Sequence, residues 1–249
     1  MNAIKKVLIT NQGKKFYAKD LDQDLHTQYG FIKKEELKKA KDGELLKSNT
    51  NKEFFIFSPF FIDLYRKIKR DAQIIPLKDI GLIIAETGIN KSSRVLDAGS
   101  GSGALACFLA GIAKEVVTYE IREDFIEIVK ANIDFLGLKN IQIKNIDIYN
   151  KIEDKNIDVI ILDLPEPWNA LENCDKAIKI GGFLVSYSPS VPQVADFVDA
   201  VRKNENFVYL KTIEIIEREW EVEERRVRPK SKGIGHSGFL SFARKVKSF

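Results

Sequence analysis

Short apolar runs set apart by glycine-bearing and charged segments fill the middle of this chain, and most of them end in an acid. The run Val95-Leu-Asp-Ala98 carries Asp97 and passes straight into Gly99-Ser-Gly-Ser-Gly103, then into apolar residues from Ala104 and Leu105 onward. Residues 115–120 end in Glu120, residues 141–146 stop before Asp147, and residues 157–162 stop before Asp163. Runs of this length predict strands, and strands alternating with helical segments predict a parallel sheet. Ligands of such sheets sit beyond the carboxyl ends of the strands, so the four acids converge on one edge.

The flanks read differently. Residues 6–10 and 14–18 predict short strands joined by a turn at Asn11-Gln-Gly13, and residues 53–57 a further strand. Residues 33–41 are charged with little apolar period, which predicts a solvated loop or turn of helix. Ser58-Pro59 predicts a helix start with Ser58 as cap, near a linker. Two domains are expected: a small β-rich one over 1–65 and an α/β one over 66–249. Within the second, residues 80–87 predict a helix closed by Gly88, and residues 177–187 a helix end, a Gly-Gly turn and a fifth strand. Residues 191–201 predict another helix, and residues 207–220 with 238–245 a terminal β-hairpin.

Length and composition narrow the class. At 249 residues, 44% hydrophobic and 31% charged, the chain fits a soluble globular protein, and no apolar run approaches the roughly 20 residues that span a bilayer. The first ten residues lack a signal-peptide pattern, so the cytoplasm is the expected location. Cys107 and Cys174 have no metal-ligand spacing around them, and no metal is expected. The net charge of +4 is partitioned: residues 1–70 carry 16 basic against 9 acidic residues (+7), residues 71–217 carry 15 against 23 (−8), and residues 218–249 carry 9 against 4 (+5). Two basic flanks around a group-transfer core favour a polyanionic substrate such as nucleic acid over two merely solvated surfaces.

Glycines at 99, 101 and 103 let the backbone turn tightly and approach a ligand, and the next helix offers its N-terminal N–H groups. Glu120 lies at the separation where a βαβ unit places its ribose-binding acid. A nicotinamide enzyme would show Gly-x-Gly-x-x-Gly; the turn here, with Asp97 two residues ahead of it, looks like that of a Rossmann-like S-adenosylmethionine-dependent methyltransferase.

Further motifs make the resemblance specific. His26-Thr-Gln-Tyr-Gly30, Arg70-Asp-Ala-Gln-Ile-Ile-Pro-Leu-Lys-Asp79, Asp163-Leu-Pro-Glu-Pro-Trp168, Arg218-Glu-Trp220, Arg228-Pro229, His236-Ser-Gly-Phe-Leu240 and Arg244-Lys245 together resemble the archaeal and bacterial tRNA (adenine-N1)-methyltransferases over nearly the whole chain. Asp97, Ser100, Glu166 and Ser237 stand where Glu, Thr, Asp and Thr are frequent in that family. The resemblance implies transfer of a methyl group to N1 of the T-loop adenine at position 58, with position 57 as a possible second target, by a homotetramer. It implies a donor site of Gln73, Gly99, Ser100, Gly101, Ser102, Gly103, Leu105, Glu120, Ile121, Asp147 and Ile148. Asp163 is the candidate catalytic residue: its carboxylate would accept a hydrogen bond from the adenine amine and raise the nucleophilicity of N1, although a strand-end acid can also only cap the strand or hold the donor.

The target base must be unpaired or flipped to be reached. Trp168 would stack on it or wall the pocket. Arg225, Arg226 and Arg228 suit phosphate contacts, the alternative being a solvated hairpin tip. His26 and His236 lie in family motifs, where each makes a turn hydrogen bond or contacts RNA. Two other readings stand beside this one: a protein-carboxyl methyltransferase, which leaves Asp163–Trp168 and the basic flanks unexplained, and a non-catalytic tRNA-binding subunit, which would be expected to have lost the glycines and acids of the donor turn.

Overall fold

A computed structural model describes residues 3–247. The chain divides into two compact units, residues 1–69 with 134–137, and residues 70–133 with 138–249.

In the first unit, β1 (Lys6–Ile9), β2 (Lys15–Ala18), β5 (Leu45–Lys47) and β6 (Glu53–Phe57) form an antiparallel sheet in the order β2-β1-β6-β5. A separate hairpin joins β3 (Leu25–Thr27) to β4 (Gly30–Ile32). Leu8, Ile32, Leu37, Phe54 and Ile56 close a small core. The charged stretch expected over 33–41 holds the short helix α1 (Lys34–Lys39), which sends only Leu37 inward. The helix expected to start at Ser58 begins later, as α2 (Phe61–Tyr65). Ser58 does not cap it, because its backbone N–H and its hydroxyl both donate to Asp42, at 2.9 and 3.0 Å. Asp63 caps instead, accepting the Phe60 N–H at 3.2 Å.

The second unit opens with α3 (Leu77–Thr87), ended by Gly88 at φ +68°, a left-handed cap that glycine adopts without a Cβ penalty. Then come β7 (Arg94–Ala98), α4 (Ala104–Ala110), β8 (Glu115–Glu120), α5 (Glu123–Leu136), β9 (Ile141–Asn145) and β10 (Ile157–Leu162). A 3₁₀ turn (Pro167–Ala170), α6 (Leu171–Ala177), β11 (Ile178–Ser188), α7 (Val191–Lys203), β12 (Phe207–Ile213), the pair β13 (Trp220–Glu223) and β14 (Arg226–Pro229), and β15 (Phe239–Lys245) complete it. The main sheet runs β12-β15-β11-β10-β7-β8-β9, and β15 is antiparallel to both of its neighbours while the strands from β11 to β9 are parallel. This is the Rossmann-like α/β sheet that the alternation of runs predicted.

A second local expectation fails. The Gly-Gly turn is absorbed into β11: Ile178 pairs with Ile157 and Phe183 with Val159, so Lys179 to Gly182 form a bulge within one strand. Gly181 takes φ +81°, and a Cβ on Gly182 would press on Ile178 and on the Asp158 and Lys179 carbonyls.

The core lies along the parallel strands, where Leu96, Ile160, Leu162 and Leu184 meet Phe197 and Val201 from α7. The strands inside the sheet read as continuous apolar runs because both faces are covered. The strand order reverses between β7 and β10, and at that point the carboxyl ends of two adjacent strands leave a crevice. Among the described residues, no helix is long and apolar enough to cross a membrane.

Candidate functional site

The crevice is built by a close approach of two chain segments. Beyond β7 the backbone turns through Gly99, Gly101 and Gly103 at φ +57°, +52° and +72°. A side chain at Gly99 would collide with the carbonyl oxygen of Asp163, just past the end of β10, and one at Gly103 would press on Val129 of α5. Glycine is required at both places for space as well as for φ. The Asp163 N–H donates to the Ala98 carbonyl at 2.7 Å, extending the parallel ladder to the rim.

Four carboxyl groups surround this turn in different environments. Asp97 is fully buried and accepts a hydrogen bond from the Thr118 hydroxyl at 2.8 Å, while Ser100 and Thr118 share a 2.5 Å contact. Burial pushes the Asp97 carboxyl up to about 7 against that hydrogen bond, and the charges of Asp163 and Glu120 add to the rise. Glu120 accepts the backbone N–H groups of Gly101, Ile121 and Arg122, each at 3.0 Å, which fixes its carboxylate at the end of β8 and leaves accepting capacity for a ligand. Asp147 accepts the Tyr149 N–H at 2.9 Å and the Asn150 amide at 3.0 Å. The Asp163 carboxylate has no hydrogen-bond partner among the described residues, and burial raises it to about 6.

Between these acids lies a cavity of about 460 Å³, within the range of sites that bury a small-molecule ligand. Gln73, Gly99, Gly101, Glu120, Ile121, Asp147, Ile148 and Asp163 line it, all of them expected from the sequence. A recess of about 30 Å³ adjoins it through Gln73, Gly99, Gly101 and Asp163, and there Ser100, Ser102, Leu105 and Asp97 take their places. Gly103 lines neither space; its role is the packing against Val129. The sequence did not single out the apolar walls Phe125, Tyr149 and Leu164, or Arg122, whose guanidinium covers the Phe125 ring at 4.0 Å. Their signal was position: each follows a strand-end acid by one to five residues.

Trp168 sits in the 3₁₀ turn after Pro165 and Pro167, partly buried against the core. The remaining residues expected to meet RNA are not gathered at the cavity. Arg226 and Arg228 project from the β13–β14 hairpin and form exposed ion pairs with Glu221 at 3.6 and 2.9 Å. Arg225 lies exposed at its tip. His236 is tied down by both ring nitrogens, Nδ1 to the Glu214 carboxylate at 2.6 Å and Nε2 to the Pro189 carbonyl at 2.9 Å. The Glu214 bond, followed by the Pro189 bond, raises its pKa, as expected for an imidazolium donating twice. His26 belongs to the first unit, where its ring packs on Phe31 at 5.8 Å. Among the described residues, no group of His, Cys, Asp and Glu is assembled that could hold a metal ion.

Comparison with known proteins places this arrangement among relatives. Residues 65–230 match the family described as tRNA methyltransferase complex GCD14 subunit. The chain is 35% identical to the tRNA (adenine(57)-N(1)/adenine(58)-N(1))-methyltransferase TrmI of Methanocaldococcus jannaschii, over 96% of this chain and 94% of the relative. It is 30% identical to the tRNA (adenine(58)-N(1))-methyltransferase TrmI of Thermus thermophilus, over 90% and 89%. The crystal structure of the tRNA (m1A58) methyltransferase TrmI from Aquifex aeolicus superposes with a TM-score of 0.84 at 28% identity, covering 98% of this chain and 97% of that one. A structure described as a SAM-dependent O-methyltransferase from Thermotoga maritima superposes with a TM-score of 0.89 at 29% identity, over 100% and 95%.

The burial of Asp97 has a measurable consequence. Its folded pKa near 7 lies above the unfolded value near 4, so the folded state holds a proton that the unfolded chain has lost. Its contribution to stability is complete below pH 4 and is lost as pH rises to 7. Asp97→Asn keeps an acceptor for Thr118 and removes the titration. Urea unfolding at a series of pH values is expected to show the variant gaining on the native protein between pH 4 and 7, and parallel curves would rule out the raised pKa.

Proposed function

The chain belongs to the family of tRNA (adenine-N1)-methyltransferases that includes TrmI and the GCD14 subunit, and we propose that it methylates N1 of adenine 58 in the T-loop of tRNA through the cavity at the β7–β10 crossing. The enzyme is an S-adenosylmethionine-dependent tRNA methyltransferase. The observation that carries the assignment of roles is the Asp163 carboxylate, unpartnered and half-buried on the wall of a cavity whose other acids are already held by the backbone or by a hydroxyl.

The residues present fit the donor. Glu120, oriented by three N–H groups, would take the ribose hydroxyls; Ile121, Ile148 and Tyr149 give the apolar walls that an adenine ring needs; Asp147 would lie near its amine. Gln73, Gly99 and Gly101, which line both the cavity and the recess, would hold the methionine portion. When bound, S-adenosylmethionine supplies a methyl carbon on a sulfonium, a leaving group that needs no metal.

Asp163 would accept a hydrogen bond from the exocyclic amine of the target adenine. That bond strengthens as N1 forms its new bond and positive charge spreads to the amine, so it favours the transition state over the ground state. Trp168, three residues on from Pro165, would stack on the extruded base or wall it in. Alignment of the two reactants in one crevice can supply roughly 7–11 kcal/mol of the barrier. The complete glycine turn and its acids support a catalytic chain over a non-catalytic subunit.

Position 57 is a second proposed target, supported by the dual description of the M. jannaschii relative. A cytoplasmic enzyme is proposed with it, since that is where such a substrate would be met. We also propose a homotetramer. The β13–β14 register puts Val222 opposite Val227 and Trp220 opposite Pro229, giving the hairpin one apolar face, while Glu221, Glu223, Arg226 and Arg228 occupy the other. Trp220, Val222 and Val227 are all exposed, a surface suited to association.

With labelled S-adenosylmethionine and an unmodified tRNA transcript, 1-methyladenosine is expected at position 58, and label in protein carboxyl groups alone would overturn the assignment. In that assay Asp163→Asn should lower kcat about 10²-fold or more with donor affinity retained, whereas Glu120→Ala should weaken donor binding by calorimetry about tenfold or more. Because Asp163 must be ionised to accept, kcat/KM for tRNA should fall as pH drops below about 6, and the Asn variant should lose that limb. Light scattering should give the mass of four 28.4 kDa chains, reduced by Val222→Asp; a monomeric native protein would rule the tetramer out.

A further inference from the structure

The loop from Asp163 to Trp168 carries both groups assigned to the acceptor base, yet it has little means of holding itself in place. Pro165 and Pro167 have no N–H to donate. At its start, Asp163 is fixed to Ala98 by one backbone bond of 2.7 Å. At its far end, Asn169 closes on Glu166 through its N–H at 3.1 Å and its side-chain amide at 2.9 Å. Between these points lies the peptide that joins Pro165 to Glu166, with the Pro165 carbonyl at one end and the Glu166 N–H at the other.

Side chains from two other elements take them. The Gln193 Nε2 in the first turn of α7 donates to the Pro165 carbonyl at 3.0 Å, and the Tyr149 hydroxyl accepts the Glu166 N–H at 3.3 Å. Gln193 does not line the donor cavity. Its amide is oriented before it meets the loop: the Ser190 hydroxyl donates to its Oε1 at 2.6 Å, which turns Nε2 toward Pro165. The residue before Ser190 is fixed in turn, since the Pro189 carbonyl accepts from His236 at 2.9 Å. The start of α7 is thus a braced platform with one outward donor.

We propose that Gln193 is a positioning residue for methyl transfer: its amide, oriented by Ser190, holds the Pro165 carbonyl and so sets where Asp163 and Trp168 meet the acceptor base. It touches neither donor nor reacting atoms, and it acts through the loop. The inference rests on the proposed role of Asp163, and its test carries a readout that needs no RNA.

The test compares the native enzyme with Gln193→Met, which keeps the length of the side chain and loses the donor. Expected are a fall in kcat of about fivefold, the effect of one lost hydrogen bond, a donor affinity within twofold by calorimetry, and an unchanged melting temperature. In protein labelled with 5-fluorotryptophan, the Trp168 ¹⁹F resonance, assigned by comparison with Trp220→Phe, should shift or broaden in Gln193→Met without RNA present. Ser190→Ala should move both readouts in the same direction by less, and Gln193→Lys, which restores an N–H donor of similar reach, should recover most of kcat. A Gln193→Met enzyme with native kcat, or one whose Trp168 resonance is unmoved, would overturn the proposal. So would a loss of kcat, donor affinity and melting temperature together, which marks a structural role alone. If tRNA is not the substrate, the native enzyme fails to methylate it while the Trp168 resonance still responds, so the two failures are told apart.

Discussion

The contact between Gly99 and the carbonyl of Asp163 is the constraint on which the site depends. Two parallel strands whose connections leave in opposite directions open a crevice at their carboxyl ends, but the size of that crevice is set by how closely the segments beyond them approach. A single Cβ at residue 99 would collide with the Asp163 carbonyl and break the bond from the Asp163 N–H to Ala98. The same approach brings Asp163 to the wall shared by the donor cavity and its recess, beside the turn that would hold the methionine portion. Under the proposed function, donor and acceptor chemistry would meet there because the backbone at residue 99 carries no side chain.

The electrostatics of the site follow from the same geometry. Asp97, Glu120 and Asp163 lie close enough for the latter two to raise Asp97, and the protein tolerates this clustering by treating each acid differently. Asp97 is buried under a hydroxyl network, Glu120 is held by three backbone N–H groups, and Asp163 has no hydrogen-bond partner among the described residues. A half-buried carboxylate without a partner costs stability, a cost that a ligand group completing the bond would offset. The proline-rich loop behind Asp163 extends this logic. It gives up internal hydrogen bonds for a fixed course, and Gln193 and Tyr149 supply the anchors from outside.

The sequence determined the Rossmann-like sheet, because buried parallel strands are written as unbroken apolar runs and their ends as acids or glycines. Residues 95–98, 115–120 and 157–162 became β7, β8 and β10 with little displacement, and the cavity they form holds most of the donor residues expected from the turn and the strand-end acids. Local signals misled where a distant partner outbid them. Ser58-Pro59 has the form of a helix cap, but Asp42, 16 residues away, claims Ser58. Gly181-Gly182 has the form of a turn, but pairing with β10 on one side and β15 on the other draws it into a strand as a bulge. What the tertiary structure alone decided is which groups are spoken for. Composition and spacing name the acids, bases and amides of a chain, but a hydrogen bond or ion pair between residues far apart in sequence depends on the meeting of two surfaces, and only the fold sets that meeting.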